Sequence, residues 1–370
     1  IVMVELPPFV LFYLAALAAA VLPRRARQVV MLAVPLVGGL MLMNLTPDLL
    51  LRVAFMDLYL EPLRVDKLSI LFGILFHIGA FIGIVFSLHV EDRNQHVAAL
   101  LYAGSAIGAV FAGDLLTLFL FWEMLALTSA FLIFANRTDR AWGAGMRYLV
   151  IQVLSGVLLL AGALMLYRHS GSLAFNHIGL NGAGSFLIFI AFGIKCAFPL
   201  LHNWLTDAYP EATPTGTVFL SAFTTKVAVY ALARGFAGTE ALVYIGATMT
   251  CFPIFYAVIE NDLRRVLAYS MINQIGFMVV GIGLGTALAM NGAIAHAFND
   301  VIFKGLLMMS MGAVLHMTGR INGSDLGGLY KSMPVTAGLC IVGAASISAF
   351  PLFSGFVSKS MIMTEAANQG

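Results

Sequence analysis

Four lysines of this 370-residue chain stand where lysine is costly: Lys195, Lys226, Lys304 and Lys359 each lie inside an apolar run long enough to be a helix. Glu123 and Asp300 are acids in the same setting. An ionisable side chain at the middle of a membrane helix costs roughly 3 kcal/mol on insertion scales, so six such groups call for a purpose. Snorkelling, with the stem in the apolar layer and the ammonium at its edge, accounts for one buried lysine more easily than for four. The other sixteen basic residues include every arginine and fall in the polar segments between apolar runs. Arginine keeps its proton in a protein, whereas a buried lysine exchanges it. The division therefore reads as fixed charge at the edges and exchangeable charge inside, and the chemistry it suits is proton transfer.

Partners for these groups are suggested by spacing. Glu123 sits in Phe119-Leu120-Phe121-Trp122-Glu123-Met124-Leu125 with no charged neighbour along its own helix. Its expected partner is Lys195, whose helix breaks four residues later at Pro199; irregular backbone at membrane depth normally lines a protein-buried or watery cavity. Opposite charges about 4 Å apart attract by about 4 kcal/mol at an effective dielectric near 20, enough to decide whether Lys195 holds its proton. His296, Asp300 and Lys304 are spaced i, i+4, i+8 and share a helix face. Asp300 is expected to neutralise Lys304 within that helix, as a static salt bridge or as part of a proton relay extended by His296. His316 ends the same stretch, and His202 follows Pro199 in the broken segment; both are taken as supporting relay groups. His77 and His89 read as ordinary helix residues.

The elements that must position these groups are membrane helices. Hydrophobic residues make up 61% of the chain, charged residues 10%, and the mean hydropathy is +0.95; a water-soluble domain needs roughly a quarter of its residues charged. At about 20 apolar residues per crossing, spans fall near 4–22, 28–46, 66–90, 97–113, 115–135, 142–167, 184–205, 214–236, 241–260, 265–285, 290–318 and 335–363. The segment 47–65, with Asp57, Glu61 and Arg64, suits a short extramembrane piece. The fold class is an all-α polytopic membrane protein with about twelve transmembrane helices and no separate soluble domain. No cleavable leader is evident, and the absence of an initial Met suggests a piece of something longer. In short loops the cytoplasmic side carries the excess of Lys and Arg. Odd-numbered loops hold eleven (Arg24, Arg25, Arg27, Arg93, Arg137, Arg140, Arg147, Arg264, Arg265, Arg320 and Lys331) and even-numbered loops five (Arg52, Arg64, Lys67, Arg168 and Arg234), which puts the N-terminus outside. Cys196, Cys251 and Cys340 lie in apolar stretches without metal-ligand spacing. The formal charge of +2 is near neutral and spread out, so nothing suggests nucleic acid.

One tetrapeptide recurs: Ala197-Phe198-Pro199-Leu200 returns 152 residues later as Ala349-Phe350-Pro351-Leu352, each copy breaking a helix near a buried lysine. The copies are five helices apart. An odd number of helices per repeat reverses orientation, as in transporters with inverted repeats and broken helices at the midplane. Residues 1–96 would then be three N-terminal helices, 97–237 a first five-helix repeat with Glu123, Lys195 and Lys226, and 241–370 a second, truncated one with Lys304 and Lys359.

With these residues assembled, the chain resembles the proton-translocating antiporter-like membrane subunits shared by Mrp-type Na+/H+ antiporters, respiratory complex I and membrane-bound hydrogenases. The matching stretches are Phe121-Trp122-Glu123, the run from Ile194 through Pro199 to Ala208, Thr225-Lys226-Val227 to Arg234, and Asp262-Leu263-Arg264-Arg265 to Ser270. Phe303-Lys304-Gly305, Leu326-Gly327-Gly328-Leu329 and Phe353-Ser354-Gly355 to Lys359 complete the series in family order. The resemblance implies that Glu123 controls Lys195 in an intake half-channel, that Lys226 and Lys304 form a central relay, and that Lys359 is the terminal group. Asp300 stands where many members have His, and the terminal residue can be Glu; the pattern is most like the D-type branch of the Mrp subunits. Family members have about fourteen helices, so about two are expected beyond this chain.

The function so implied is a proton-translocating membrane subunit of a multisubunit monovalent cation (Na+)/H+ antiporter of the bacterial inner membrane. The alternative is a proton-pumping membrane subunit of NADH-quinone oxidoreductase or a membrane-bound hydrogenase. A bicarbonate-uptake subunit or a structural scaffold is weaker. Partners are other membrane subunits, the lipid bilayer, protons and Na+ or K+. With no Rossmann glycines, cysteine quartet or nucleophile beside a base, no cofactor or metal is expected, and the chain is read as a transporter subunit rather than an enzyme in its own right.

Overall fold

A computed structural model of the protein describes residues 6–46, 48–56 and 58–369. Helices α1 (Pro8–Val21) and α2 (Arg24–Met43) lead into a hairpin of β1 (Leu50–Phe55) and β2 (Leu58–Arg64). Then come α3 (Lys67–Ser87), α4 (Arg93–Phe111), α5 (Leu115–Phe134), α6 (Asp139–Ser170), α7 (Ala183–Lys195), α8 (Asn203–Ala208), α9 (Pro214–Ala222) and α10 (Thr224–Gly235). The chain continues through α11 (Ala241–Ile259), α12 (Leu263–Leu284), α13 (Ala287–Thr318), the single turn α14 (Leu329–Ser332), α15 (Pro334–Ile347) and α16 (Ser354–Asn368).

All twelve expected spans coincide with a helix or a pair of helices. Among the described residues, eight runs are long and apolar enough to cross a membrane by length and composition, with α9 and α10 taken together; α1, α7 and α15 are shorter apolar helices. The fold is all-α as expected; within the segment read as extramembrane, β1 and β2 pair as a small antiparallel hairpin. Its register runs from Leu50 opposite Arg64 to Phe55 opposite Leu58 and shifts between Leu51 and Val53, facing Glu61 and Pro62. A proline cannot donate to a ladder, which accounts for an irregularity there. Asp57, one of the polar markers of this segment, lies outside the described residues.

Side-chain caps set the helix ends. Asp66 and Ser69 form a reciprocal capping box on α3. Asp114 accepts from Leu116 and Thr117 at the start of α5, and Asp262 accepts from Arg264 and Arg265 at the start of α12. The long helices α6 and α13 each run for 32 residues, start at a threonine cap (Thr138, Thr286) and stop at a left-handed glycine (Gly171, Gly319). At both chain reversals the left-handed backbone favours Gly.

Packing is densest at the centre, where every residue of α10 but Arg234 is buried, as is every residue of α4 from Ala98 onward but Leu101. The ion pairs outside the interior are confined to the two ends. The arginine-rich end carries Arg24–Glu91 (2.5 Å), Arg140–Glu211 (2.9 Å) and a bidentate Arg147–Asp207 contact (2.7 and 2.9 Å). At the hairpin end Asp66 pairs with Arg234 (2.7 Å) and Arg64 (3.7 Å). Burial alone would raise the Asp66 carboxyl, but Arg234, the Ser69 N–H and Arg64 together hold it below the ordinary carboxylate range.

Candidate functional site

Three helix breaks carry the interior chemistry. Two are the repeated tetrapeptides. Ala197 (φ 58°) and Leu200 (φ 70°) take left-handed backbone, as do Ala349 (φ 57°) and Leu352 (φ 77°). The hydrogen bonds match as well: Phe198 N–H donates to Gly193 O and Phe350 N–H to Ala345 O, both at 3.0 Å. The third break, at Phe223 between α9 and α10, lies inside the unbroken span expected over 214–236. There the Thr224 N–H leaves the helix ladder and donates to Tyr102 Oη (3.0 Å), while Ser221 O accepts from Lys226 Nζ (2.9 Å). A backbone carbonyl freed by the break thus becomes a ligand for the lysine ammonium.

Lys226, Asp300, Lys304 and His296 are wholly buried and lie together. Lys226 Nζ is 2.5 Å from Asp300 Oδ2, joining α10 to α13. This corrects the expected partnership: Asp300 forms its ion pair with Lys226 across helices, not with Lys304 in its own. Lys304 Nζ donates instead to Ser270 Oγ on α12 (2.8 Å). Asp300 Oδ1 has no hydrogen-bond partner among the described residues. His296 is held at both nitrogens, by Ser358 Oγ (2.8 Å, Nδ1) and Gln274 Oε1 (3.1 Å, Nε2). Asn299 Nδ2 also donates to Ser358 Oγ (3.2 Å). Lys359, the residue after Ser358, donates to Ile347 O at the end of α15 (2.6 Å) and has its ammonium 4.8 Å from the Phe277 ring centre. A polar line therefore crosses α10, α13, α12 and α16. Sequence reasoning did not assign Ser270, Gln274, Asn299 or Ser358; their signal was polarity inside apolar spans, weaker than charge.

The Glu123 region differs. Lys195 is fully buried, donates to Trp122 O (3.1 Å) and stands 5.0 Å from the Trp122 ring centre. It makes no ion pair within 4 Å among the described residues, so the expected Glu123–Lys195 contact is open in this structure. Glu123 Oε1 has no hydrogen-bond partner among the described residues and occupies space left by Gly156 on α6, where an added Cβ would collide with it. Trp122 Nε1 donates to Ser155 Oγ (2.9 Å), which donates to Ala191 O (2.7 Å), fixing α5, α6 and α7 around the lysine.

The two remaining histidines of the expected set lie apart from this line. His202 is half-buried, its Nδ1 unpartnered among the described residues and its ring 4.8 Å from Phe252. His316 is exposed near the arginine-rich end of α13, three turns beyond Lys304, with its ring 5.4 Å from that of His89. Among the described residues no group of three or more His, Cys, Asp or Glu is placed to hold a metal ion.

The chain is 31% identical to the A-type subunit of the Na+/H+ antiporter of Alkalihalophilus pseudofirmus, over 81% of this chain and 42% of that protein. It is 30% identical to the D-type subunit of the Na+/H+ antiporter of the same organism, over 70% of this chain and 56% of that protein. The chain thus spans about half the length of these relatives. Its fold matches a chain of the Mrp complex from Dietzia sp. with a TM-score of 0.87 at 23% identity, covering 99% of this chain and 75% of that one. The family described as NADH:quinone oxidoreductase/Mrp antiporter, transmembrane, matches residues 112–370, so this multi-pass membrane chain belongs to that family.

Proposed function

We propose that this chain is a proton-translocating membrane subunit of a multisubunit monovalent cation/H+ antiporter, of the same kind as its A-type and D-type relatives. The observation that carries the reading is the fully buried Lys226–Asp300 pair, continued by Lys304, His296 and Lys359 along one polar line. Burying a charge pair costs several kcal/mol in desolvation per ion, and well-packed apolar residues often serve stability as well or better. A purely structural role therefore explains the line poorly. Proton exchange explains it, because each member accepts and gives up a proton and is tied to a hydroxyl, carbonyl or carboxylate.

The working order is Glu123 with Lys195, then Lys226 with Asp300, then Lys304 and His296, then Lys359. When Glu123 swings to Lys195 it favours the protonated amine; when it returns to its seat at Gly156, Lys195 releases its proton inward. His202 and His316 stay outside the core of this order. Residues 97–237 and 241–370 act as two related halves. Their support is the 148-residue offset shared by Asp114 and Asp262, Thr138 and Thr286, Gly171 and Gly319, together with the matched tetrapeptide breaks. The halves run in opposite senses: Gly113, just before α5, bonds to Glu61 at the hairpin end, whereas α12 begins beside Ala212 at the arginine-rich end. The N-terminus then faces outward from a bacterial cytoplasmic membrane, with the arginine-rich end inside.

A second reading is a proton-pumping subunit powered by redox chemistry in partner subunits, favoured by the breadth of the family itself. Antiport by the whole complex in everted vesicles, followed with a pH-sensitive dye on adding Na+ or K+, tests the first reading. Cation-dependent proton movement that Lys226→Ala abolishes supports it. Proton movement that requires a quinone or ferredoxin substrate and ignores both cations overturns it in favour of the second.

A further inference from the structure

His89 and His316 form a second, separate constellation. His89 follows α3 immediately before the charged turn Val90-Glu91-Asp92-Arg93, and His316 lies in the last turn of α13. Their ring centres are 5.4 Å apart, inclined at 57°. Both rings line a cavity of about 440 Å³ whose walls include Phe86, Pro214, Gly312 and Pro334. No lysine, arginine or carboxylate lines it, and neither imidazole is hydrogen-bonded within the described residues. A neutral imidazole carries one nitrogen lone pair that accepts a proton or a metal; here two of them are left free beside each other, within reach of water.

The spacing suits a shared metal ion. With a Zn–N bond of about 2.1 Å, each ring centre lies about 3.2 Å from the metal, and a tetrahedral angle sets the two centres about 5.2 Å apart. From this match, the cavity and the absence of any repelling cation, we infer that His89 and His316 bind one divalent transition-metal ion of the Zn2+ class. Imidazole suits Zn2+ and Cu2+, and the hard, oxygen-seeking Mg2+ and Ca2+ would be excluded. Two protein ligands leave two positions for water, so the site is reversible rather than structural.

Occupancy has a consequence that rests on the function proposed above. The cavity opens among α3, α9, α13 and the start of α15, and Asp300 and Lys304 lie on α13 farther inside. A dication fixed there places positive charge between the arginine-rich end and the Asp300–Lys304 stretch of α13, so it slows proton movement between the two.

The test is Zn2+ titration of the purified complex, paired with Cu2+ electron paramagnetic resonance. Wild type should bind one ion with two imidazole nitrogens in the copper spectrum. His89→Gln and His316→Gln, chosen to keep side-chain volume, should each weaken binding at least tenfold and leave one nitrogen. Unchanged affinity and spectrum in both variants overturn the site. In vesicles, Zn2+ should slow wild-type antiport, and each variant should need at least tenfold more Zn2+ for the same fractional loss of its own metal-free rate. Full-rate antiport by Zn2+-loaded wild type overturns the blocking role while the site stands. Lack of antiport without metal counts against the proposed function alone, because binding is read independently of transport.

Discussion

Lys226 and Lys195 are both fully buried lysines set in different surroundings. At Lys226 the circuit is closed: a carboxylate lies 2.5 Å from the ammonium and both are sealed from outside. At Lys195 it is open: the ammonium rests on the Trp122 carbonyl, and Glu123 sits apart in the space left by Gly156. Lys226 is tied to a charged partner and Lys195 to a neutral one. In the relay proposed above, the two sites would be the two positions of one proton switch. The difference lies in the mobility of the acid. Asp300 is on a short side chain enclosed between α10 and α13, while Glu123 is longer, half-buried and faces a glycine.

The largest effect should come from breaking the closed site. Asp300→Asn leaves Lys226 as an uncompensated buried charge, a loss of roughly 3–5 kcal/mol where such pairs are broken one-sidedly. Both the melting temperature of the complex and its transport should fall, transport to background. The double variant Lys226→Met/Asp300→Leu separates the two losses, because removing both charges should restore stability and leave transport absent. Recovery of transport in the double variant would show that the pair is only structural.

Next in size is a change that closes off the open site. Gly156→Ala puts a methyl group where the Glu123 carboxylate rests. Transport should drop at least tenfold with the protein still inserted and assembled. Gly305→Ala is the matched control, since an added Cβ there meets nothing within 4 Å; it should transport as wild type. Equal loss in both would mean that helix glycines matter in this chain for reasons other than seating Glu123.

Both predictions depend on contacts that the sequence did not disclose. Charge inside apolar spans located the lysines, and the prolines located two of the three breaks. The pairing was read wrongly: Asp300 and Lys304 are i, i+4 neighbours along α13, but α10 brings a second lysine closer in space. Helical spacing says which groups can meet within a helix and nothing about which neighbouring helix intrudes. The Phe223 break escaped because no proline or glycine sits at it; its cause is tertiary, an N–H taken by Tyr102 and a carbonyl taken by Lys226. The hairpin escaped because a short polar interval between spans was read as extramembrane without a strand assignment. His89 and His316 are far apart in the chain, and only packing makes them neighbours.

A smaller effect sharpens the role of Lys304. Ser270→Ala removes the hydroxyl that accepts from its ammonium, and a hydrogen bond to a charged group contributes roughly 1.5–3 kcal/mol. Transport should fall several-fold rather than vanish, because Asp300 remains nearby to share the charge. Ser270→Thr, which keeps the hydroxyl, should recover most of it. A Ser270→Ala variant with unaltered transport would take Lys304 out of the line and leave the relay to pass from Lys226 directly towards His296.

The smallest effect tests whether the two broken helices are equivalent. Leu200 and Leu352 sit in left-handed backbone at the end of each tetrapeptide and are 90% and 99% exposed. The left-handed conformation costs an L-residue about 1–2 kcal/mol, while a new glycine gives back roughly 0.5–1 kcal/mol through the unfolded chain. Neither leucine has much protein packing to lose. Leu200→Gly and Leu352→Gly should therefore each raise stability slightly, by under about 1 kcal/mol, and by similar amounts in thermal unfolding of the complex. A clear loss at one position only would mean that its exposed leucine is covered in the assembled protein. The two breaks would then differ in what they touch, although their backbones match.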